Sequence, residues 1–307
     1  MTDSHFRDGV QVAWDSTSLK MAMTCLRYYK YKMIDRWATR EKSVHLIFGG
    51  HYASALELYH KLRAKGETYD DAIYKVVHSV LCATWVKVGS KNGEPVGAPW
   101  ESYHNTKTRE SLIRSVIWYL DQFEKDNCET LLLADGRPAV EYSFTLDLPY
   151  GNFYSGHLDR VVSMGGELYI QDQKTTGSAT GPTYFQQFDL DLQMSGYTFA
   201  GQAIFKSPIK GVIIDAAQIL VGSTRFERGF TFRTNVQLDE WLDLVLETIS
   251  NAQQATRDEH FPMNLTACGN YGGCEFRGVC SRSPEVRDNF LRADFTKTFN
   301  WNPLEKR

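Results

Sequence analysis

The chain reads as an α/β protein: helices come first, then a mixed, mostly antiparallel sheet interrupted by one helix, then a helix and a short cysteine-bearing segment. Three observations predict this. Apolar residues recur at helical spacing as far as about residue 126. From Ala139 to Leu148 the pattern changes to strict alternation, with Val140, Tyr142, Phe144, Leu146 and Leu148 against Glu141, Ser143, Thr145 and Asp147, which is the pattern of a half-buried strand. Met164-Gly165-Gly166 then separates two strand-like runs, a hairpin signal because glycine reaches the positive φ that tight hairpin turns need.

In order, residues 16–37 predict a first helix, capped by Ser16 or Ser18, with Leu19, Met23 and Leu26 on one stripe. A second starts near Gly49-Gly50 and runs through Tyr52, Leu56 and Tyr59 to Gly66, and a third covers about 69–88. Residues 89–106 hold Gly, Pro and Asn and predict a loop, and a fourth helix spans about 107–126. Strands follow at about 139–148, 153–163 and 167–175, then a helix at 185–206, strands at 211–222 and 228–236, and a helix at 238–257. The division expected is a helical part at 1–135, a core at 136–260 and a cysteine-rich segment at 261–307.

Composition narrows the class. Hydrophobic residues at 42%, aromatics at 13% and charged residues at 23% suit a folded globular chain and disfavour disorder. No apolar run is long enough for a membrane span, and Met1–His5 lacks a secretory pattern, so a cytoplasmic protein is expected. The net charge of −3 argues against coating nucleic acid through bulk charge. Six cysteines at 25, 82, 128, 268, 274 and 280 in a reducing compartment suit metal ligands better than disulfides.

The stretch richest in chemistry is Gly156-His157-Leu158-Asp159 followed by Asp172-Gln173-Lys174. Leu168, Ile170, Asp172 and Lys174 share strand parity and one face of the sheet. The hairpin brings Asp159 to the same end, so two carboxylates and an ammonium converge. Close carboxylates repel unless a cation lies between them, and oxygen donors favour Mg²⁺ or Mn²⁺. A lysine beside them can stabilise charge on a phosphate under attack. The same spacing also suits a surface hairpin with an Asp–Lys pair.

Gly-x-x-Asp, a turn, Asp-x-Lys-Thr-Thr, and then Gln193-Met194-Ser195-Gly196-Tyr197 on the next helix together resemble the PD-(D/E)XK nuclease superfamily, in its RecB-like exonuclease branch. The resemblance implies a restriction-endonuclease-like core acting on DNA, single-stranded or at duplex ends, in recombination, repair or phage DNA metabolism. It assigns Asp159 and Asp172 as metal ligands, Lys174 as the catalytic lysine, and Gln193 and Tyr197 as DNA contacts beside them. Relatives often carry Gly-x-x-x-His on the second helix. Here Gly49 fits, but Ala53 stands at the histidine position, which leaves His51 and Glu57 as alternative third ligands and Glu141 as a lesser one.

RecB-like nucleases with iron–sulfur clusters divide four cysteines between one near the N-terminus and three near the C-terminus. Cys25 with Cys268, Cys274 and Cys280 resembles that division, which implies a [4Fe-4S] cluster, or alternatively zinc, stapling the terminal segments together. Cys82 and Cys128 read as plain thiols. Arg27, Lys30, Lys32, Arg36, Arg40 and Lys42, interleaved with aromatics, form either a phosphate-tracking stripe, with Arg27 and Lys30 as DNA contacts, or a solvated helix face. A different class stays open, a DNA-binding or assembly subunit with weak or absent cleavage, with a recombination or helicase protein as partner.

Overall fold

The computed structural model describes residues 5–91, 94–205 and 207–306. Met1–Ser4 of the amino-terminal reading, residues 92–93 of the expected loop and the expected helix end at 206 lie outside them. The strands are β1 (Phe6–Arg7), β2 (Val10–Gln11), β3 (Ala13–Trp14), β4 (Ala38–Thr39), β5 (Trp85–Lys91), β6 (Glu94–Pro99), β7 (Glu129–Thr130), β8 (Val140–Leu148), β9 (Asn152–Met164), β10 (Glu167–Thr176), β11 (Ile209–Ile219), β12 (Thr224–Thr231) and β13 (Phe295–Thr296). The helices are α1 (Ser16–Thr24), α2 (Leu26–Tyr29), α3 (Val44–Ala64), α4 (Tyr69–Ala83), α5 (Arg109–Gln122), α6 (Pro182–Gln186), α7 (Leu192–Ile204), α8 (Asn235–Arg257), α9 (Arg277–Cys280) and α10 (Arg287–Asp294). No helix among the described residues is long and apolar enough to cross a membrane.

The chain divides into two units, one of residues 1–42, 143–157 and 234–307, the other of residues 43–142 and 158–233. In the second, the strand order is β12-β11-β10-β9, with β7 also against β9. β10 and β11 run parallel, and the remaining pairings in that unit's sheet are antiparallel, so the sheet is mixed. The β9–β10 turn pairs Met164 with Glu167 across Gly165 (φ 61°) and Gly166 (φ 83°), two successive positive φ angles of the kind the glycines allow.

Helices cover both faces of this sheet. On one, α3, α4 and α5 pack Phe48, Leu56, Val76, Leu112 and Val116 with Ala217 and Ile219 of β11. On the other lies α7. A β-carbon at Gly201 of that helix would stand 2.6 Å from Ile209 Cγ1 and 2.9 Å from Ile170 Cδ1, so only glycine lets α7 approach this closely. Gly201→Ala is expected to cost about 1–2 kcal/mol: overpacking of roughly 1–3 kcal/mol is offset in part by a helix-propensity gain of up to about 1 kcal/mol. Urea unfolding measures it.

In the first unit, β3 pairs parallel with β9 through Ala13↔Phe153 and Trp14↔Tyr154. Asp15 caps α1 by accepting from Ser18 N at 2.7 Å, and the Trp301 indole N–H donates to its other oxygen at 2.7 Å. Tyr31, Phe276, Val279, Leu291 and Phe295 form a small core of residues from both ends of the chain.

Several expected elements differ. The helix expected at 16–37 stops at Cys25, whose backbone is extended, and resumes as α2 and a π-helical turn at Lys30–Ile34. The expected loop at 89–106 contains most of the β5–β6 hairpin, where Gly97 lies so close under the Trp85 indole that a β-carbon has no room. Proline is tolerated there because a two-stranded ribbon has free edges. The helix expected at 185–206 is two, α6 and α7, separated by residues 187–191, the last of which, Asp191, caps α7.

Candidate active site

β10 alternates across the sheet. Ile170, Asp172 and Lys174 point to the α7 face, while Gln171, Gln173 and Thr175 point to the α3–α5 face, in line with Ile213, Asp215 and Ala217 of β11. On the α7 face Lys174 Nζ lies 2.6 Å from Asp172 Oδ2 and 2.9 Å from Oδ1, and donates to Gln193 Oε1 at 3.1 Å. Gln193 Nε2 donates to the Tyr197 hydroxyl at 2.9 Å, and that hydroxyl donates to Asp159 Oδ1 at 3.3 Å. The other oxygen of Asp159 accepts from the backbone N–H of Gln173 at 3.2 Å. Asp159, Tyr197, Gln193, Lys174 and Asp172 thus form one connected chain of polar contacts, built from two strands and one helix.

The helix supplies its two members because Gln193 and Tyr197 stand four apart, on one face. Asp191 fixes where that helix begins, its carboxylate accepting from Gln193 N at 2.8 Å and Met194 N at 3.1 Å. It is also a third negative charge near the pair. Sequence reasoning passed over Asp191, although an Asp immediately before a helical run is a recognisable cap signal.

Asp172 is fully buried. Burial raises its carboxyl above the ordinary range, Lys174 opposes that rise, and Asp159 and Asp191 add to it. For Lys174, burial disfavours the ammonium, but Asp172 and Asp159 outweigh burial and keep it protonated. The Asp–Lys pair of the alternative surface-hairpin reading does form, at 2.6 Å, but its carboxylate is interior: Asp172 has 0% exposure.

Neither alternative third ligand reaches these carboxylates by a contact in the structure. Glu57 pairs with Lys61 one turn along α3 at 2.5 Å. The His51 ring lies 6.3 Å from that of Trp100, and burial lowers its pKa. Glu141 is buried rather than solvated and takes φ 50°. From α3 it is His60, not anticipated, that comes to β10, with Nε2 3.5 Å from Gln173 Nε2 on the face opposite Asp172. Among the described residues, no three His, Cys, Asp or Glu side chains stand at metal-holding spacing.

Behind the site, on the α3–α5 face, lies a buried polar network. Asp215 Oδ2 accepts from Tyr119 at 2.6 Å, Gln171 at 2.5 Å and Arg228 at 3.1 Å. Arg228 grips Asp126 with two hydrogen bonds at 2.7 and 2.8 Å and stacks over Phe123, 4.0 Å from its centroid. Arg160 reaches Gln171, Thr130 and the Cys128 carbonyl. Two guanidiniums and two carboxylates share the interior, which clamps β9, β10, β11 and β12 in register beneath Asp159 and Asp172.

The first unit holds the four cysteines of the expected cluster. Cys25 Sγ accepts from Asn264 N at 3.3 Å, and Cys274 N donates to the Cys268 carbonyl at 3.0 Å. Burial raises the Cys274 thiol, and the nearby Cys25 and Cys268 raise it further. Burial also raises Cys280; Arg27 and Arg287 pull it down, and Cys274 and Cys25 push it up. Cys274 thus lies near Cys25 and Cys268, and Cys280 near Cys274 and Cys25. Of the expected DNA-contacting residues, Lys30 pairs with Asp35 at 2.6 Å and Arg27 donates to the Phe261 carbonyl at 3.0 Å, while Lys32 pairs with Glu275 at 2.9 Å. Part of the basic stripe is thus spent holding the chain's two ends to each other.

The sequence profile of the PD-(D/E)XK nuclease superfamily matches residues 14–281. A crystal structure from Eubacterium rectale, described as a putative exonuclease, shares the fold with a TM-score of 0.50 at 15% identity, covering 88% of each chain. A second solved structure, SSO0001, aligns at 14% identity over 47% of this chain and 66% of its own, with a TM-score of 0.28 that carries no weight. No curated protein matches the sequence. The profile spans both units and contains the Asp159–Asp172–Lys174 chain of contacts, and the protein belongs to the PD-(D/E)XK nuclease superfamily.

Proposed function

We propose that this nuclease is a divalent-metal-dependent deoxyribonuclease of the RecB-like branch, acting as an exonuclease on DNA ends. The observation that carries the reading is the connected chain from Asp159 through Tyr197, Gln193 and half-buried Lys174 to fully buried Asp172. It places two carboxylates and one ammonium together, with negative charge in excess. That donor set fits Mg²⁺ or Mn²⁺, since Mg²⁺ keeps most of its waters and is held by one or two carboxylates. Asp159 and Asp172 would hold the ion, which when bound supplies Lewis-acid activation of water and phosphate.

The remaining work belongs to the chain. Lys174 presents an ammonium to the developing charge on the scissile phosphate, held protonated by its carboxylate neighbours. Gln193 fixes that ammonium through its carbonyl oxygen and fixes Tyr197 through its amide. Tyr197 and the Gln173 N–H orient the two oxygens of Asp159. The direct test is digestion of end-labelled single- and double-stranded DNA with Mg²⁺ or Mn²⁺, beside Lys174→Ala. Shortening by wild type alone supports the reading, and equal degradation by both proteins overturns it. Binding without cleavage in every condition would favour the assembly-subunit alternative.

The same reading assigns Cys25, Cys268, Cys274 and Cys280 to a [4Fe-4S] cluster. Four neighbouring thiols flanked by Arg27 and Arg287 suit an anionic cluster, and a cross-link between residues so distant in sequence would remove roughly 5 kcal/mol of chain-closure entropy from the unfolded state. Protein purified without oxygen is expected to be brown, with iron in the ratio of a four-iron cluster, and Cys25→Ser to lose that iron and melt several degrees lower. Colourless protein with stoichiometric zinc would replace the cluster by a zinc site.

A further inference from the structure

Away from the Asp159–Asp172–Lys174 site, one cation stands out. Lys107 is 2% exposed, and its Nζ has no hydrogen-bond partner. Its ammonium instead lies over the face of Phe48, 4.4 Å from the ring centroid. Burial lowers it to about 8. An unpaired buried ammonium is costly, so folding alone gives no reason for a lysine here.

What surrounds it is a place for negative charge. Phe48 lies in α3, one turn from the helix start, and α3 begins without a side-chain cap from Ser43. Leu46 N and Ile47 N bond back to the Ser43 carbonyl, and the N–H groups of Val44 and His45 precede them at the positive end of the helix dipole. His45, exposed in that first turn, sits ring to ring with His104 at 5.0 Å. His45 is lowered by burial and then by the positive character of His104 and Lys107, which places the three together. His104 Nδ1 accepts from Thr106 N at 3.2 Å and Lys107 N at 3.1 Å, which leaves the ring proton on Nε2 as a donor.

The position relates this group to the strand that carries the catalytic lysine. Gly49, the residue after Phe48, stands 3.5 Å from Thr175 Oγ1 when given a β-carbon, and Thr175 follows Lys174. Thr175 faces the α3 side of the sheet and Lys174 the α7 side, so the amino-terminal half of α3 borders the segment of β10 that carries Lys174.

We propose that the uncapped amino end of α3, together with Lys107, His45 and His104, binds a phosphate of the DNA strand adjoining the one that is cut. The identity of the ligand rests on the nuclease reading above. A phosphate there accepts from the first-turn N–H groups and from His104 Nε2, and the long lysine stem lets the ammonium slide out from Phe48 to meet it.

The test is DNA binding in EDTA, which needs no cleavage, measured by anisotropy across a salt series. Lys107→Met keeps the side-chain length and removes the charge; His45→Gln alters an exposed residue and spares the fold. Lys107→Met is expected to melt higher than wild type yet bind roughly tenfold more weakly, with the slope of log affinity against log salt reduced by about 0.9. His45→Gln is expected to weaken binding a few-fold. Unchanged affinity and slope in both variants would overturn the subsite while leaving the nuclease reading intact. Cleavage by Lys174→Ala equal to wild type, with the Lys107 effect present, would remove the nuclease reading and keep a DNA-phosphate site. Inorganic phosphate that raises the wild-type melting temperature, with DNA affinity unchanged in the variants, would assign the site to free phosphate and overturn the proposal.

Discussion

Lys174→Ala is expected to slow DNA cleavage by roughly 10²- to 10³-fold, the usual loss when one preorganised electrostatic donor is removed from a reaction centre. Its ammonium contacts both oxygens of Asp172 and the side-chain carbonyl of Gln193, a placement that alanine cannot reproduce. Lys174→Arg should not restore the rate, because a planar guanidinium presents its charge in a different geometry from a compact ammonium. The fold should survive the alanine change. Asp172 is already raised above the ordinary carboxylate range by burial, so losing its cation lets it take a proton rather than stay charged in the interior. Single-turnover cleavage at saturating metal, with a melting curve beside it, separates a chemical loss from an unfolding one. A fall in rate matched by an equal fall in folded fraction would sink the catalytic assignment.

Asp215→Ala is expected to cost about 3–5 kcal/mol, the range for breaking a buried ion pair from one side. Asp215 is 3% exposed, and its loss leaves Arg228 and Arg160 facing Asp126 alone, with Tyr119 and Gln171 deprived of their acceptor. The control is a double change, Asp215→Leu with Arg228→Met, which removes both charges in similar volume and should recover much of the loss. Thermal unfolding of the three proteins checks the order. If the double variant is no more stable than Asp215→Ala, the cost lies in packing rather than in the unpaired guanidinium.

How legible each part was depends on how local its cause is. Gln193 and Tyr197 could be paired from the sequence because residues four apart share a helix face, and they do meet, at 2.9 Å. The common face of Ile170, Asp172 and Lys174 follows from strand alternation alone. The buried network behind them was not legible: Asp126, Arg160, Asp215 and Arg228 sit in four separate segments, and nothing local marks a charge that pairs across strands. The basic run after Cys25 reads from the sequence as either a phosphate track or a solvated face, and neither reading anticipates its partners: Asp35 pairs with Lys30, and Glu275, 243 residues away, pairs with Lys32. The break of the first helix at Cys25 carries no Pro or Gly to announce it.

The sequence by itself determined the α/β class, the order of its elements and the motif Asp159, Asp172, Lys174, Gln193 and Tyr197, because period, turn chemistry and spacing are properties of short stretches of chain. Only the tertiary structure decided that Asp172 is fully buried, that His60 of α3 meets Gln173 of β10, and that Lys107 stands without a hydrogen-bond partner over Phe48. Burial and pairing depend on which distant segments close over a side chain, and the energy of a charge changes far more with its burial than with the identity of its neighbours in sequence.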